Sequence, residues 1–254
     1  MAAYDWKDIV GRLNEQLHLM RRPVGMKWIR TEEELNAIPK VRIHKKHFAP
    51  CIVLGQSVQF GWTVACKPEN IHANYCRGIH GLFKRDDKWY SGEMFNNVWY
   101  DNIESSKAHN KALECAPPEF TSIVFSPLDA GRVEEPDVCV LYCSSGQAFM
   151  LFTGWQFSSY EKLQFSFVGE STCADSYIHT LITGKPGFAI PSFAERKFGG
   201  VGEWEVRVSF TPEGLVRAIE GVEKMYKSGL RYPIAPYSLT TDMLDGLPPH
   251  YLEY

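Results

Sequence analysis

Between Asp5 and Leu19, apolar residues recur at helical spacing (Trp6, Ile9, Val10, Leu13, Leu17), and Asp5 is placed to cap the first turn. Arg21-Arg22-Pro23 stops this helix. The run Val24-Gly25-Met26-Lys27-Trp28-Ile29 then predicts a strand, followed by a short acidic helix from Thr31 to Ala37. Apolar spacing resumes in a helix from Cys51 to Phe60, with Gly61 as its stop and Trp62 to Ala65 extended. A short helix from Cys76 to Phe83 comes next. Lys84 to Trp99 is aromatic and small-polar without a period and predicts a covering loop. Asn102 to Cys115 is a polar helix ended by Ala116-Pro117-Pro118.

The second half repeats short strands and helices. Strands are expected at Thr121 to Ser126, Val138 to Cys143, Lys162 to Val168, Gly187 to Ile190 and Glu205 to Phe210. Helices are expected at Gly146 to Phe157, Cys173 to Leu181 and Thr211 to Tyr226. The Pro- and Tyr-rich tail from Gly229 is expected to wrap the surface or a partner subunit. Strands interleaved with helices predict an α/β fold, a layered sheet with helices, and leave the strand order open. The 254 residues, 44% of them hydrophobic, suffice for one domain spanning 1–254; two lobes, about 1–120 and 121–254, are the alternative division.

A formal charge of −3 argues against a nucleic-acid coat, which requires a concentrated basic face. No run approaches the roughly 18 apolar residues of a membrane span, and the first residues are acidic where a secretory leader is basic and apolar. A cytoplasmic location is therefore expected. Seven cysteines in such a chain favour metal or catalytic use over a disulfide framework.

Three of these cysteines fall at helix starts: Cys51 after Pro50, Cys76 after Asn74-Tyr75, and Cys173 after Ser171-Thr172. Unpaired backbone N–H groups and the positive helix end favour a thiolate there, suited to a nucleophile or a metal or cluster ligand. Separations of 25 and 97 residues match no compact zinc or ferredoxin pattern, so a shared site requires folding to bring the three together. Three thiolates on a [4Fe–4S] cluster leave one iron open to a substrate, whereas a fourth, from Cys66, would close it. A free cysteine is ordinarily a small buried hydrophobe, the reading taken for Cys139 and Cys143 on one strand face; Cys115 lies at a helix C-terminus that opposes a thiolate.

His80, four residues after Cys76, shares its helix face and is a candidate proton donor; His72 and His179 are weaker candidates. Asp175, in the first turn after Cys173, is a cap or a candidate acid or base. Aromatics at Trp89, Tyr90, Phe95, Trp99, Tyr100 and Trp155 are core residues or the walls of a pocket for a flat substrate. Arg77, Lys84, Arg85 and Arg196 are solvated or hold an anion. Gly199-Gly200-Val201-Gly202 lacks the spacing and lysine of a phosphate loop and is expected to be a mobile turn. No Ser-His-Asp signature, HExxH or GxGxxG is present.

A set of landmarks runs through most of the chain: Arg22-Pro23-Val24-Gly25-Met26-Lys27, Cys51, Cys76-Arg77-Gly78-Ile79-His80-Gly81, Glu135-Pro136-Asp137-Val138, Cys173-Ala174-Asp175, and Phe188-Ala189-Ile190-Pro191 before a charged strand ending at Pro212. By their order and spacing the chain resembles the prokaryotic family catalogued as domain of unknown function 169. The resemblance implies a prokaryotic cytoplasmic protein with landmark cysteines at Cys51, Cys76 and Cys173, and it supplies no substrate.

Two function classes remain. In the first, Cys51, Cys76 and Cys173 hold an iron–sulfur cluster whose open iron binds a small organic substrate for reduction or elimination. His80 or Asp175 then moves a proton, and an electron-donor protein serves the reductive case. In the second, the same cysteines and Cys66 close a redox or metal sensor site, or the chain is a small-molecule binding module. A homodimer is the default assembly.

Overall fold

The computed structural model describes residues 4–234, 236 and 242–253. Met1 to Ala3, part of the segment read against a secretory leader, and Ala235, Tyr237 to Thr241 and Tyr254 of the tail lie outside the described residues.

The helices are α1 (Trp6–Leu17), α2 (Glu32–Ala37), α3 (Pro50–Phe60), α4 (Asn74–Ile79), α5 (Asp87–Tyr90), α6 (Ile103–Ala112), α7 (Ser145–Phe157), α8 (His179–Thr183), α9 (Phe193–Gly199) and α10 (Pro212–Lys227). The strands are β1 (Val24–Ile29), β2 (Arg42–Ile43), β3 (Val64–Cys66), β4 (Ser122–Pro127), β5 (Val138–Ser144), β6 (Gly187–Ala189) and β7 (Glu205–Phe210). They form one sheet in the order β2-β3-β4-β1-β5-β7-β6. All neighbours are antiparallel except β2 and β3. The fold is α/β.

Both sheet faces are covered, so the strands read as near-continuous apolar runs. Along β5 the alternation divides the chain's two main cores. Cys139, Leu141 and Cys143 pack with α1, α7 and α10, while Val138, Val140 and Tyr142 pack with α3, α4 and the segment around Tyr177. α1 is amphipathic, its buried Trp6, Ile9, Val10, Leu13 and Leu17 facing the sheet and the Asp5 carboxylate accepting from the Asp8 N–H.

Several expectations differ from what is observed, among them α5, which lies within the loop expected from Lys84 to Trp99. Lys162 to Val168 joins no strand: its alternation seats Phe165 against Phe152 and Phe188, but its backbone stays outside the sheet. Cys173 to Leu181 divides into a π-helical turn over Ala174–Ile178, where the Ile178 N–H donates to the Cys173 carbonyl, and then α8. The glycine cluster is the packed end of an unforeseen helix, α9, capped by Gly200 in the left-handed conformation. No helix of the described residues is long and apolar enough to cross a membrane.

Candidate functional site

Cys51 occupies the second position of α3 behind Pro50, Cys76 the third position of α4, and Cys173 immediately precedes the π turn. All three line one cavity of about 60 Å³, together with His80, Tyr177, Glu170, Glu195 and Arg207. At roughly 10–15 Å³ per water-sized centre, this space holds a compact ligand. The cavity lies on the α3 and α4 side of the sheet, where helix starts converge on β7.

Its floor is built on a buried ion pair. Arg207 of β7 bonds Glu195 at the start of α9, and both side chains are almost wholly enclosed. The pair is satisfied by further bonds, which an enclosed ion pair requires if attraction is to offset desolvation. Tyr142 Oη donates to Glu195 Oε1 at 2.7 Å, Thr172 Oγ1 donates to Oε2 at 2.8 Å, and the Ser192 N–H donates to Oε2 at 3.0 Å. Arg207 Nε donates to Ser176 Oγ at 2.8 Å, and its guanidinium lies 4.9 Å from the centre of the Tyr177 ring. Burial opposes the Arg207 charge, but Glu195 and the neighbouring hydroxyls and thiol outweigh it and hold the guanidinium above its ordinary range. One cation therefore ties β7, the π turn, Thr172 and α9 beside the three thiols.

His80 is buried with both nitrogens engaged. Nδ1 donates to the Cys76 carbonyl at 2.7 Å, which leaves Nε2 to accept from Tyr177 Oη at 2.9 Å. Burial, with a smaller push from Arg207, lowers its pKa to about 4, so the ring is neutral. The Cys173 thiol donates to the Ser171 carbonyl at 3.4 Å. Cys173 and Tyr177 are four residues apart and share a face. Asp175 is two residues from Cys173, which turns it away from that face. Its carboxylate accepts from Ser166 Oγ and the Val168 N–H and lines a neighbouring groove, so the fold does not bring Asp175 to the cysteines.

The expected thiolate character is reversed by the surroundings. Burial, reinforced by the neighbouring thiols and by Glu195 or Glu170, pushes Cys51, Cys76 and Cys173 up to about 12. Backbone N–H groups favour the anion at Cys51 and Cys76, but desolvation exceeds them. Without a bound cation these are protonated thiols at neutral pH, and a metal ligating them must displace their protons.

Cys66 lies in β3, enclosed in the core behind the site and not on the cavity wall. Glu170 stands half-buried at the mouth, its pKa raised by burial and then by Glu195. Three of the four basic residues considered as anion anchors hold backbone: Arg77 bonds the Ile71 carbonyl, Arg85 those of Gly78 and Ala116, and Arg196 those of Pro191 and Gly202. Trp89 and Phe95 pack on Tyr75, and Trp155 belongs to the helical core; Trp99 and Tyr100 line a groove beside the cavity.

Glu195, Arg207, Tyr177, Thr172 and Glu170 were not singled out from the sequence. Two signals pointed to the ion pair. Ser192-Phe193-Ala194-Glu195 is a capping-box pattern. Glu205, Arg207 and Ser209 occupy one face of a strand whose other face is Val206, Val208 and Phe210, a charged face on an internal strand that requires buried partners.

The family model for domain of unknown function 169, described as uncharacterised ArCR, matches residues 12–221. The chain belongs to this family. The matched span contains every cavity residue named above, including the three cysteines. No curated protein and no solved structure matches the chain.

Among the described residues, no group of three or more His, Cys, Asp or Glu side chains is gathered tightly enough to hold a single metal ion. Three thiols facing a common cavity make a different donor set. A cluster spreads its cysteine ligands over separate irons, so its thiolates stand farther apart than ligands to one ion. A donor set made of cysteines alone has the ligand chemistry of such a site.

Proposed function

We propose that the chain is a cytoplasmic iron–sulfur enzyme in which Cys51, Cys76 and Cys173 hold a [4Fe–4S] cluster and a small organic substrate is reduced or undergoes elimination. The observation that carries this reading is the convergence of three cysteines, far apart in the chain, on one cavity from which Cys66 is excluded. That arrangement favours an enzyme site over a closed sensor site. When bound, the cluster supplies an iron with no protein ligand, a Lewis-acid position for a substrate hydroxyl, thiol or carboxylate, and a route for electrons.

The chain's own residues set the environment. Arg207 favours the anionic form of Cys173, and Tyr177, held by His80, lines the cavity beside it. Glu170 at the cavity mouth carries the proton that the reaction gives or takes. His80 and Asp175 are positioning residues, His80 for Tyr177 and Asp175 for the segment at 166–168. Reduction draws its electrons from a donor protein; elimination needs none. All seven cysteines are free thiols, as suits a reducing compartment.

The test is iron and acid-labile sulfide content, with an absorption spectrum, on protein purified without oxygen. About four irons in the wild type, lost in Cys51→Ser, Cys76→Ser and Cys173→Ser but retained in Cys66→Ser, are expected. Loss of the cluster in Cys66→Ser would indicate the closed site, and metal-free wild type would remove the cluster reading.

A further inference from the structure

A second space lies beside the cysteine cavity. A groove of about 330 Å³ is walled by Trp99, Tyr100, Phe167, Ile190 and Phe193, and its polar lining includes Glu170 and Ser192, which also line the cavity. Glu170 and Ser192 therefore stand on the boundary of both spaces. The groove's apolar side chains stand unusually open to solvent for their size: Trp99 is 43% exposed, Ile190 50%, Phe193 56% and Phe167 69%. Large apolar residues scattered singly over a surface need no explanation, but four gathered around one concavity mark a binding site. The Trp99 and Phe193 rings meet edge to face with centroids 5.7 Å apart.

The elements that present these rings are anchored. Tyr100 Oη reaches the Val168 carbonyl, Asp175 holds the Val168 N–H, and Ser192 belongs to the capping box that fixes Glu195. The groove thus has preformed walls, and its lining carries one carboxyl group, Glu170, and no basic side chain. An anionic ligand gains no cation from that lining, whereas an uncharged planar ring gains stacking and burial against aromatic walls.

We propose that this groove binds the uncharged planar aromatic part of a small molecule and delivers its polar substituent past Glu170 and Ser192 to the cysteine cavity. The proposal rests on the enzyme reading for its purpose, but the groove is formed by residues other than the cysteines, so its binding is measurable without metal.

The experiment is calorimetric titration of folded, metal-free protein with 2-naphthol and, for comparison, the saturated decahydro-2-naphthol. The wild type should bind 2-naphthol at least about tenfold more tightly than the saturated compound. Phe193→Ala and Phe167→Ala, both at exposed positions, should each weaken 2-naphthol binding about tenfold. Phe149→Ala, at an exposed position on α7 on the opposite side of the sheet, should leave it unchanged. No binding, equal binding of the two compounds, or equal affinity across all variants would overturn the proposal. So would self-association in sedimentation that disappears in Phe193→Ala, since a second copy would then cover the groove. Iron content of anaerobically prepared samples tests the cluster separately, so either reading can fail alone.

Discussion

Gly55 of α3 and Gly199 of α9 bring two helix backbones into contact: a Cβ on Gly55 would stand 2.5 Å from the Gly199 carbonyl oxygen. A Cβ on Gly199 would in turn meet the Cys51 carbonyl oxygen at 3.0 Å. This approach places the first turn of α3, with Cys51, beside the helix that carries Glu195. The site's geometry therefore depends on two positions that have no side chain. Gly55→Ala is expected to separate the helices, destabilise the fold by about 1–3 kcal/mol and lower iron content. Gly11→Ala, on a helix with nothing near the added Cβ, should instead be stabilising by about 0.5–1 kcal/mol. Urea unfolding of both variants checks the contrast; an unperturbed Gly55→Ala would show that the helices have room to adjust.

The Arg207 and Glu195 pair is expected to be costly to break from either side. Arg207→Met leaves Glu195 enclosed without its cation, and Glu195→Ala strands the guanidinium. Each should lose about 3–5 kcal/mol, because an uncompensated buried charge costs more than the intact pair contributes. Chemical denaturation measures this, and a loss under about 1 kcal/mol would mean that water reaches the pair.

Asp175 holds the segment beside the groove and does not face the cysteines. Asp175→Ala should cost about 1–3 kcal/mol and speed amide exchange at Val168, the residue whose N–H it accepts, with iron content unchanged. Iron loss without faster exchange would place Asp175 in the metal site after all.

Glu223 is a surface source of acid sensitivity with a definite sign. Bonds from Arg12 to Glu223, at 2.7 and 2.8 Å, hold the Glu223 carboxyl below its usual range. A carboxyl depressed in the folded state contributes stability above its unfolded pKa of about 4.3, and that contribution is lost as pH falls through the lower folded value. The pair is partly exposed, so the effect is at most about 1 kcal/mol. Glu223→Gln should be less stable than wild type at neutral pH, and the gap should close as pH falls below about 4. A gap that stays constant would assign the loss to packing.

Elements with strong local signals were legible. β1 and β7 run over Val24–Ile29 and Glu205–Phe210 as the apolar and alternating patterns predict, and Pro50 and the polar residues before Cys76 and Cys173 marked helix starts correctly to within a few residues. Alternation, however, reports which way side chains face and not whether a neighbouring strand exists. Lys162 to Val168 alternates, yet its Val168 N–H goes to Asp175 and not to a strand. Helix-end chemistry marks the three cysteines one by one, and only the fold brings them to a common cavity; it also points to thiolates where the enclosure, built by elements remote in sequence, raises the thiol pKa. Arg207 and Glu195 belong to different elements that only the tertiary fold joins, and adjacency in sequence does not show that Asp175 points to the segment at 166–168 and not to the cysteines.

The most direct test of the central claim is Mössbauer spectroscopy of protein grown on ⁵⁷Fe and purified without oxygen. Three cysteine-ligated irons and one differently coordinated iron, the latter shifting when a substrate heteroatom binds, are predicted for a cluster held by Cys51, Cys76 and Cys173. About four equivalent thiolate-ligated irons, or no iron bound at all, would contradict it.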